Sequence, residues 1–142
     1  MILIDANLLL YAYDASSEHH QAARVWLEKT LSASVPVRLA WVTVLAFLRI
    51  GTNRRVFESP LSVSEAVSAV SAWLGQPTVA ILEPTEHHWE VLSRLLPSAQ
   101  AQGPLVMDAH LAALAIEHGA TLHTTDRDFA RFQGLKAVNP LA

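Results

Sequence analysis

The 142-residue chain contains no cysteine, which excludes a disulfide framework and any thiolate metal site. It also lacks a long apolar run. The longest, Trp41 to Leu48, is far too short to cross a bilayer. The apolar opening Met1-Ile2-Leu3-Ile4 meets Asp5 at once and has no basic residue before it, so no targeting segment is expected. With thiols absent, a reducing, cytoplasmic setting without membrane contact is the expectation. Charge is sparse as well. Asp, Glu, Lys and Arg make up 16% of the chain, against roughly 25% in an average domain. The hydrophobic fraction is 51% and the mean hydropathy is +0.27. Such a chain fits a well-filled α/β core and, equally, an apolar surface covered by a partner or by a second copy.

The net charge of −3 argues against a generic nucleic-acid binder. Its distribution points the other way. No Asp or Glu occurs between Glu28 and Glu58, and Lys29, Arg38, Arg49, Arg54 and Arg55 all fall in that interval. A basic rim beside an acidic centre is therefore compatible with the overall sign.

No repeat, low-complexity segment or linker divides the chain, which reads as a single domain over residues 1–142. Ile2-Leu3-Ile4 reads as a short buried strand, and Asn7 to Tyr13 as a short helix. Ser17 is placed to cap a helix through Trp26 and Leu31. After Pro36, Ala40 to Arg49 reads as a buried helix ended by Gly51-Thr52-Asn53. Ser62 or Ser64 caps a helix through Leu74, Thr78 to Leu82 is a strand, and Thr85 opens a helix through Leu96. Beyond Gly103-Pro104 the pattern gives a helix over Met107 to His118, stopped by Gly119. Thr121 to Thr124 is a strand, Asp126 to Phe129 a short helical turn, and Lys136 to Val138 a last strand. Short apolar strands alternating with helices predict a three-layer α/β/α fold around a parallel sheet.

In an open parallel sheet, functional groups gather where strands end at their carboxyl edge. Asp5 follows the first strand directly. Asp126 follows the strand at 121–124, with Asp128 two residues on, and Asp108 lies in the first turn of a helix. Each alone reads equally as a cap or turn residue. Together they form an oxygen-donor set suited to a hard divalent cation such as Mg²⁺ or Mn²⁺. His19-His20 and His87-His88 are adjacent pairs that do not share a helical face, so they suggest no zinc site. His110 lies near Asp108 in sequence, His123 is expected to pack on its strand, and Trp26, Trp41, Trp73 and Trp89 read as core or interface residues.

Three segments together carry a family resemblance. Ile4-Asp5-Ala6-Asn7, followed by Leu8-Leu9-Leu10-Tyr11, resembles the D-x-N-x-L opening of PIN domains. Met107-Asp108-Ala109-His110-Leu111-Ala112-Ala113 resembles their D-A-x-I-A-A helix, and Thr124-Thr125-Asp126-Arg127-Asp128-Phe129 resembles their T-x-D-x-D-F ending. The ordered set frames nearly the whole chain and is most similar to the VapC toxins of bacterial VapBC toxin–antitoxin pairs. That resemblance implies a PIN-like fold and a Mg²⁺-dependent ribonuclease, with Mn²⁺ able to substitute. It further implies a VapB-type antitoxin, an RNA substrate and a homodimer. It assigns Asp5, Asp108 and Asp126 to the metal and the chemistry, and Asn7, Asp128 and either Thr125 or Thr124 to supporting roles, while the charge distribution offers Arg49, Arg54 and Arg55 either for RNA phosphate contacts or as a solvated or antitoxin-facing basic patch. One departure stands out. The family's A-E-L-R helix is matched by Ala46-Phe47-Leu48-Arg49, so Phe47 stands where a Glu is expected. The alternative reading is therefore a catalytically weakened PIN domain that binds RNA or a partner, with the Phe47 ring beside the acidic cluster.

Overall fold

A computed structural model describes all residues, 1–142. Five short strands form one sheet: β1 (Ile2–Ile4), β2 (Val37–Leu39), β3 (Val79–Ile81), β4 (Thr121–His123) and β5 (Ala137–Val138). Their order is β3-β2-β1-β4-β5 and every pairing is parallel. The helices are α1 (Ala6–Tyr13), α2 (His20–Ser32), α3 (Trp41–Gly51), α4 (Val63–Leu74), α5 (His88–Ser98) and α6 (Leu105–His118). A 3₁₀ turn, Arg127–Arg131, precedes β5. The expected three-layer parallel architecture is present.

The layers follow from two apolar cores. Leu8, Leu27, Val44, Phe47 and Trp73 fill one face of the sheet, beneath α1 to α4. Leu95, Leu111, Leu114, Leu122 and Phe129 fill the other, beneath α5 and α6. Helix α6 is buried along most of its length and is built on Ala109, Ala112, Ala113 and Ala115. Small side chains let its backbone lie close to the sheet. Gly119 ends it at φ 66°, the left-handed turn for which a glycine is the default residue.

Several local expectations shift. Strand β2 was not expected. Its three residues carry Arg38 between Val37 and Leu39, too short a pattern to register, yet it sits between β1 and β3. Helix α2 starts at His20 rather than at Ser17, whose hydroxyl instead accepts a bond from His19 N within the preceding turn. Helix α4 is capped by Ser62, not Ser64, in a reciprocal capping box with Glu65.

The chain order reverses its direction of growth at β1. From β1 the sheet extends to β2 and β3 on one side, and to β4 and β5 on the other. The carboxyl ends of β1 and β4 therefore flank a crevice where neither side's helices close over the sheet, the place where open α/β sheets bind their ligands.

Candidate metal and phosphodiester site

Asp5 leaves the end of β1 and caps α1, its Oδ1 accepting the Ala6 N–H at 2.8 Å. Its backbone N–H donates to His123 O of β4 at 3.0 Å, locking the two strand ends together. The Thr124 hydroxyl donates to Asp5 Oδ2 at 2.7 Å and accepts the Asp126 N–H at 3.0 Å. Asn7 donates from Nδ2 to the same hydroxyl at 3.4 Å, while its Oδ1 is buried with no partner. Asp126 begins the 3₁₀ turn and its Oδ1 accepts the Asp128 N–H at 2.9 Å.

Asp108, in the first turn of α6, faces this group. Burial pushes its pKa from 3.8 to about 6, and the charges of Asp126, Asp5 and Asp128 push in the same direction, opposed only by Arg131. Asp5 is also held above the ordinary carboxylate range. Burial is the main cause and Asp126 adds to it, while the bonds from Thr124 and Ala6 act against it. Mutual repulsion of this kind shows that Asp5, Asp108 and Asp126 share one electrostatic site, with Asp128 at its edge.

The supporting residues divide less evenly. The hydroxyl that organises the cluster belongs to Thr124, which is 4% exposed; Thr125 makes no comparable bond and instead lines a neighbouring groove. Asp128 is exposed and stands 4.0 Å from Arg131. Arg131 was missed by the sequence reading. Its guanidinium donates to Ala99 O at 3.2 Å, a contact between distant segments that leaves no pattern in the sequence.

A groove of about 470 Å³ opens on Asp5 and Asp108, walled by Val42, Leu45, Ala46 and Met107, with Arg49 at its side. Arg54 and Arg55 are not part of that wall. They are exposed in the turn after α3, so the expected basic trio contributes one residue here. Phe47 requires a correction. Its ring is 0% exposed in the core beneath α1 to α4, edge-on to Trp73 at 4.6 Å and to Tyr13 at 5.4 Å. The helical turn that carries it inward carries Ala46 and Arg49 toward the groove. No acidic residue occurs in α3, so this helix adds nothing to the cluster's charge.

His110, close to Asp108 in sequence, is engaged away from the acids. It bonds His88, Nδ1 to Nε2 at 3.0 Å, and His88 Nδ1 bonds Glu117. Glu117 in turn accepts the Thr85 N–H at 2.9 Å and its hydroxyl at 2.7 Å. This second polar cluster joins α5 to α6. His123 packs as expected, stacked on Trp26 at 5.8 Å. Of the four tryptophans, Trp73 is buried whereas Trp41 and Trp89 are exposed.

The acidic set can be tested for a cation on its own chemistry. All its donors are oxygens, its charges repel one another, and the buried Asn7 Oδ1 beside them lacks a partner. Each is a deficit that a hard cation and its waters would fill. No three His, Asp or Glu side chains stand close enough together to enclose an ion alone. An ion held here would keep water in part of its shell, as Mg²⁺ ordinarily does.

Comparison with known proteins identifies the family. The PIN domain family model matches residues 2–135. Ribonuclease VapC37 of Mycobacterium tuberculosis is 42% identical over 142 residues, covering 100% of this chain and 99% of the relative. Ribonuclease VapC43 of the same species is 40% identical over 141 residues, covering 99% of this chain and 96% of the relative. Among solved structures, VapBC-1 from nontypeable Haemophilus influenzae superposes with a TM-score of 0.71 at 17% identity, covering 100% of both chains. VapC20 of Mycobacterium tuberculosis, described as a sarcin-ricin loop cleaving toxin, gives 0.67 at 18% identity, covering 96% of this chain and 99% of that one.

Proposed function

The chain belongs to the PIN domain family, and from that premise we propose that it is a metal-dependent endoribonuclease, the toxin of a type II toxin–antitoxin pair. The observation that carries the reading is Asp108. Its carboxyl accepts no hydrogen bond and is pushed to about 6 by burial and by the charges of Asp126, Asp5 and Asp128. A protein does not keep a half-buried carboxylate among like charges for stability, because uncompensated charge partly out of water is costly.

Asp5, Asp108 and Asp126 would hold Mg²⁺ or Mn²⁺. The ion would supply positive charge against the phosphodiester and make water a better nucleophile. The remaining work belongs to the chain itself. Thr124 and Ala6 N–H fix both oxygens of Asp5, so this ligand loses no rotamer freedom on binding. Asn7 Oδ1 is an acceptor free to orient a water. Arg49, at the wall of the groove, is placed to take a phosphate oxygen, which its planar fork suits. The exposed Leu45 and Met107 of that groove would be covered by a segment of a VapB-type antitoxin. An antitoxin Arg could reach the acids from there. We also assign the apolar excess of the chain to a homodimer contact. Phe47 faces away from the site, so the alternative of a merely RNA-binding module rests only on the absence of an acid from α3.

Cleavage of a mixed tRNA and rRNA sample, followed in Mg²⁺ and in EDTA, tests the reading. Asp5→Asn and Asp108→Asn remove one charge and one ligand oxygen with little change of shape, and each should lower the metal-dependent rate at least about 100-fold. Undiminished cleavage by both would overturn it.

A further inference from the structure

A second groove, of about 430 Å³, lies on the other side of the cluster from the one walled by α3. The first groove ends on Asp5 and Asp108, and the second ends on Thr124 and Asp126. The Thr124 hydroxyl bonds Asp5 Oδ2 and so joins the two ends, and a chain-like substrate with a phosphodiester at the cluster can run from one groove into the other. The second groove is formed by the 3₁₀ turn, β5 and the last residues of the chain. Beyond Thr124 and Asp126 at its end, nothing in the activity reading uses it.

Its lining has a definite chemistry. Ala130, Ala137 and Val138 are exposed and give it flat, small-residue apolar walls. Asn139 sits at the rim with its Oδ1 fixed by the Leu141 N–H at 2.9 Å. That bond holds the amide rigid and leaves both Nδ2 protons free to donate. Thr125 contributes a hydroxyl, and Arg127 is exposed and takes part in no ion pair. A volume of this size admits a nucleoside. Flat apolar walls with a fixed amide at one edge match an unstacked base read along its hydrogen-bonding edge. A free guanidinium beyond it matches the next phosphate. The groove against α3 differs. It is more apolar, its cation is Arg49, and it has no side-chain amide.

We propose that the groove between the 3₁₀ turn and β5 is a nucleobase subsite, which takes the nucleotide flanking the scissile phosphate through Asn139 and Thr125 and contacts its outer phosphate through Arg127. The proposal rests on the activity reading for its place in the reaction, but the binding it claims can be measured without activity. Bare nucleosides are the right probe, because they carry no phosphate for the acids to repel.

The full-length ¹⁵N-labelled protein is titrated with adenosine, cytidine and uridine in EDTA, and amide shifts are followed. The expected result is saturable, base-dependent shifts in the segments 125–130 and 137–141. Ala130→Trp fills the groove from an exposed position and should weaken them at least about tenfold. Asn139→Asp keeps the acceptor for Leu141 and replaces the amide donors by an acceptor, so it should change the order of preference among the three nucleosides. Asp5→Asn should leave the shifts in place. Shifts confined to the groove around Arg49 and Met107, shifts unchanged in Ala130→Trp, or no saturable shifts would each overturn the subsite. RNA cleavage in Mg²⁺, run beside it, separates the two readings. A protein that cleaves but shows no shifts loses the subsite alone. One that binds nucleosides here but cleaves nothing loses the activity reading and keeps the subsite.

Discussion

Helix α6 carries two polar clusters of opposite character. At its start, Asp108 faces Asp5 and Asp126, accepts no hydrogen bond and is pushed up to about 6. Toward its end, Glu117 accepts two bonds from Thr85 and one from His88, and His88 bonds His110. Burial pushes the Glu117 carboxyl up, yet the bonds from His88 and Thr85 outweigh it and leave the group below its ordinary value. Both clusters are built of ionisable residues partly out of water. One is satisfied within the chain and fastens α5 to α6. The other is left in deficit at a sheet edge, and the deficit marks it as a site for something the chain does not itself contain.

The same contrast runs across α3. The face bearing Phe47 is closed core, and the face bearing Ala46 and Arg49 is open groove. Phe47→Glu would bury an unpaired carboxylate against Trp73 and Tyr13 and should destabilise the fold by about 4 kcal/mol or more. Ala46→Glu adds the same charge on the open face. It should leave the melting temperature nearly unchanged in saturating Mn²⁺ and tighten Mn²⁺ binding. Thermal melts and metal titration on the two variants check this; equal destabilisation by both would erase the distinction between the faces.

Breaking the satisfied cluster comes next in size. His88→Ala leaves the Glu117 carboxylate, whose side chain is 0% exposed, without one of its partners. The expected cost is about 2–3 kcal/mol in urea unfolding, with metal-dependent cleavage retained under conditions where the variant is folded. Cleavage that falls as far as in Asp108→Asn would mean that the two clusters act as one.

These contrasts also bound what could be read before the fold was known. The acids at the strand ends were legible because Ile2-Leu3-Ile4 and the 121–124 segment announce buried strands, and a residue just past such a strand has a fixed address. Side-chain direction was not. Which of Thr124 and Thr125 turns toward Asp5 depends on the alternation of β4. Whether Phe47 or Ala46 faces the acids depends on a rotation of about 100° per residue in α3, which matching four letters to a family pattern does not resolve. His110 looked close to Asp108, but two positions along a helix point to opposite sides. Strand β2 escaped notice because Arg38 interrupts it. Arg131 was missed because its partner is a backbone carbonyl 32 residues away.

The two clusters also predict opposite pH slopes for the metal-free protein. Asp108 has a folded pKa of about 6 against 3.8. The folded state therefore holds its proton more tightly than the unfolded chain, and stability from this group is lost as pH rises from about 4 to about 6. Glu117 is lowered, so its contribution is present above 4.5 and is lost as pH falls through its folded value. In EDTA, Asp108→Asn should raise stability at pH 7 relative to pH 5. The gain should be about 1 kcal/mol once solvent screening of this half-exposed group is allowed for. Urea unfolding at both pH values measures it. A pH profile that Asp108→Asn leaves unchanged would remove the claim of accumulated charge.

The most direct test of the central claim, that the deficit at Asp5, Asp108 and Asp126 is a cation site, is calorimetric titration with Mn²⁺ at about pH 6, where Asp108 is about half protonated. The protein should bind Mn²⁺ with release of protons, and Glu117→Gln should bind it as well. Asp108→Asn should bind at least about tenfold more weakly and release fewer protons. Binding of equal strength in Asp108→Asn and in the unaltered protein would contradict the account.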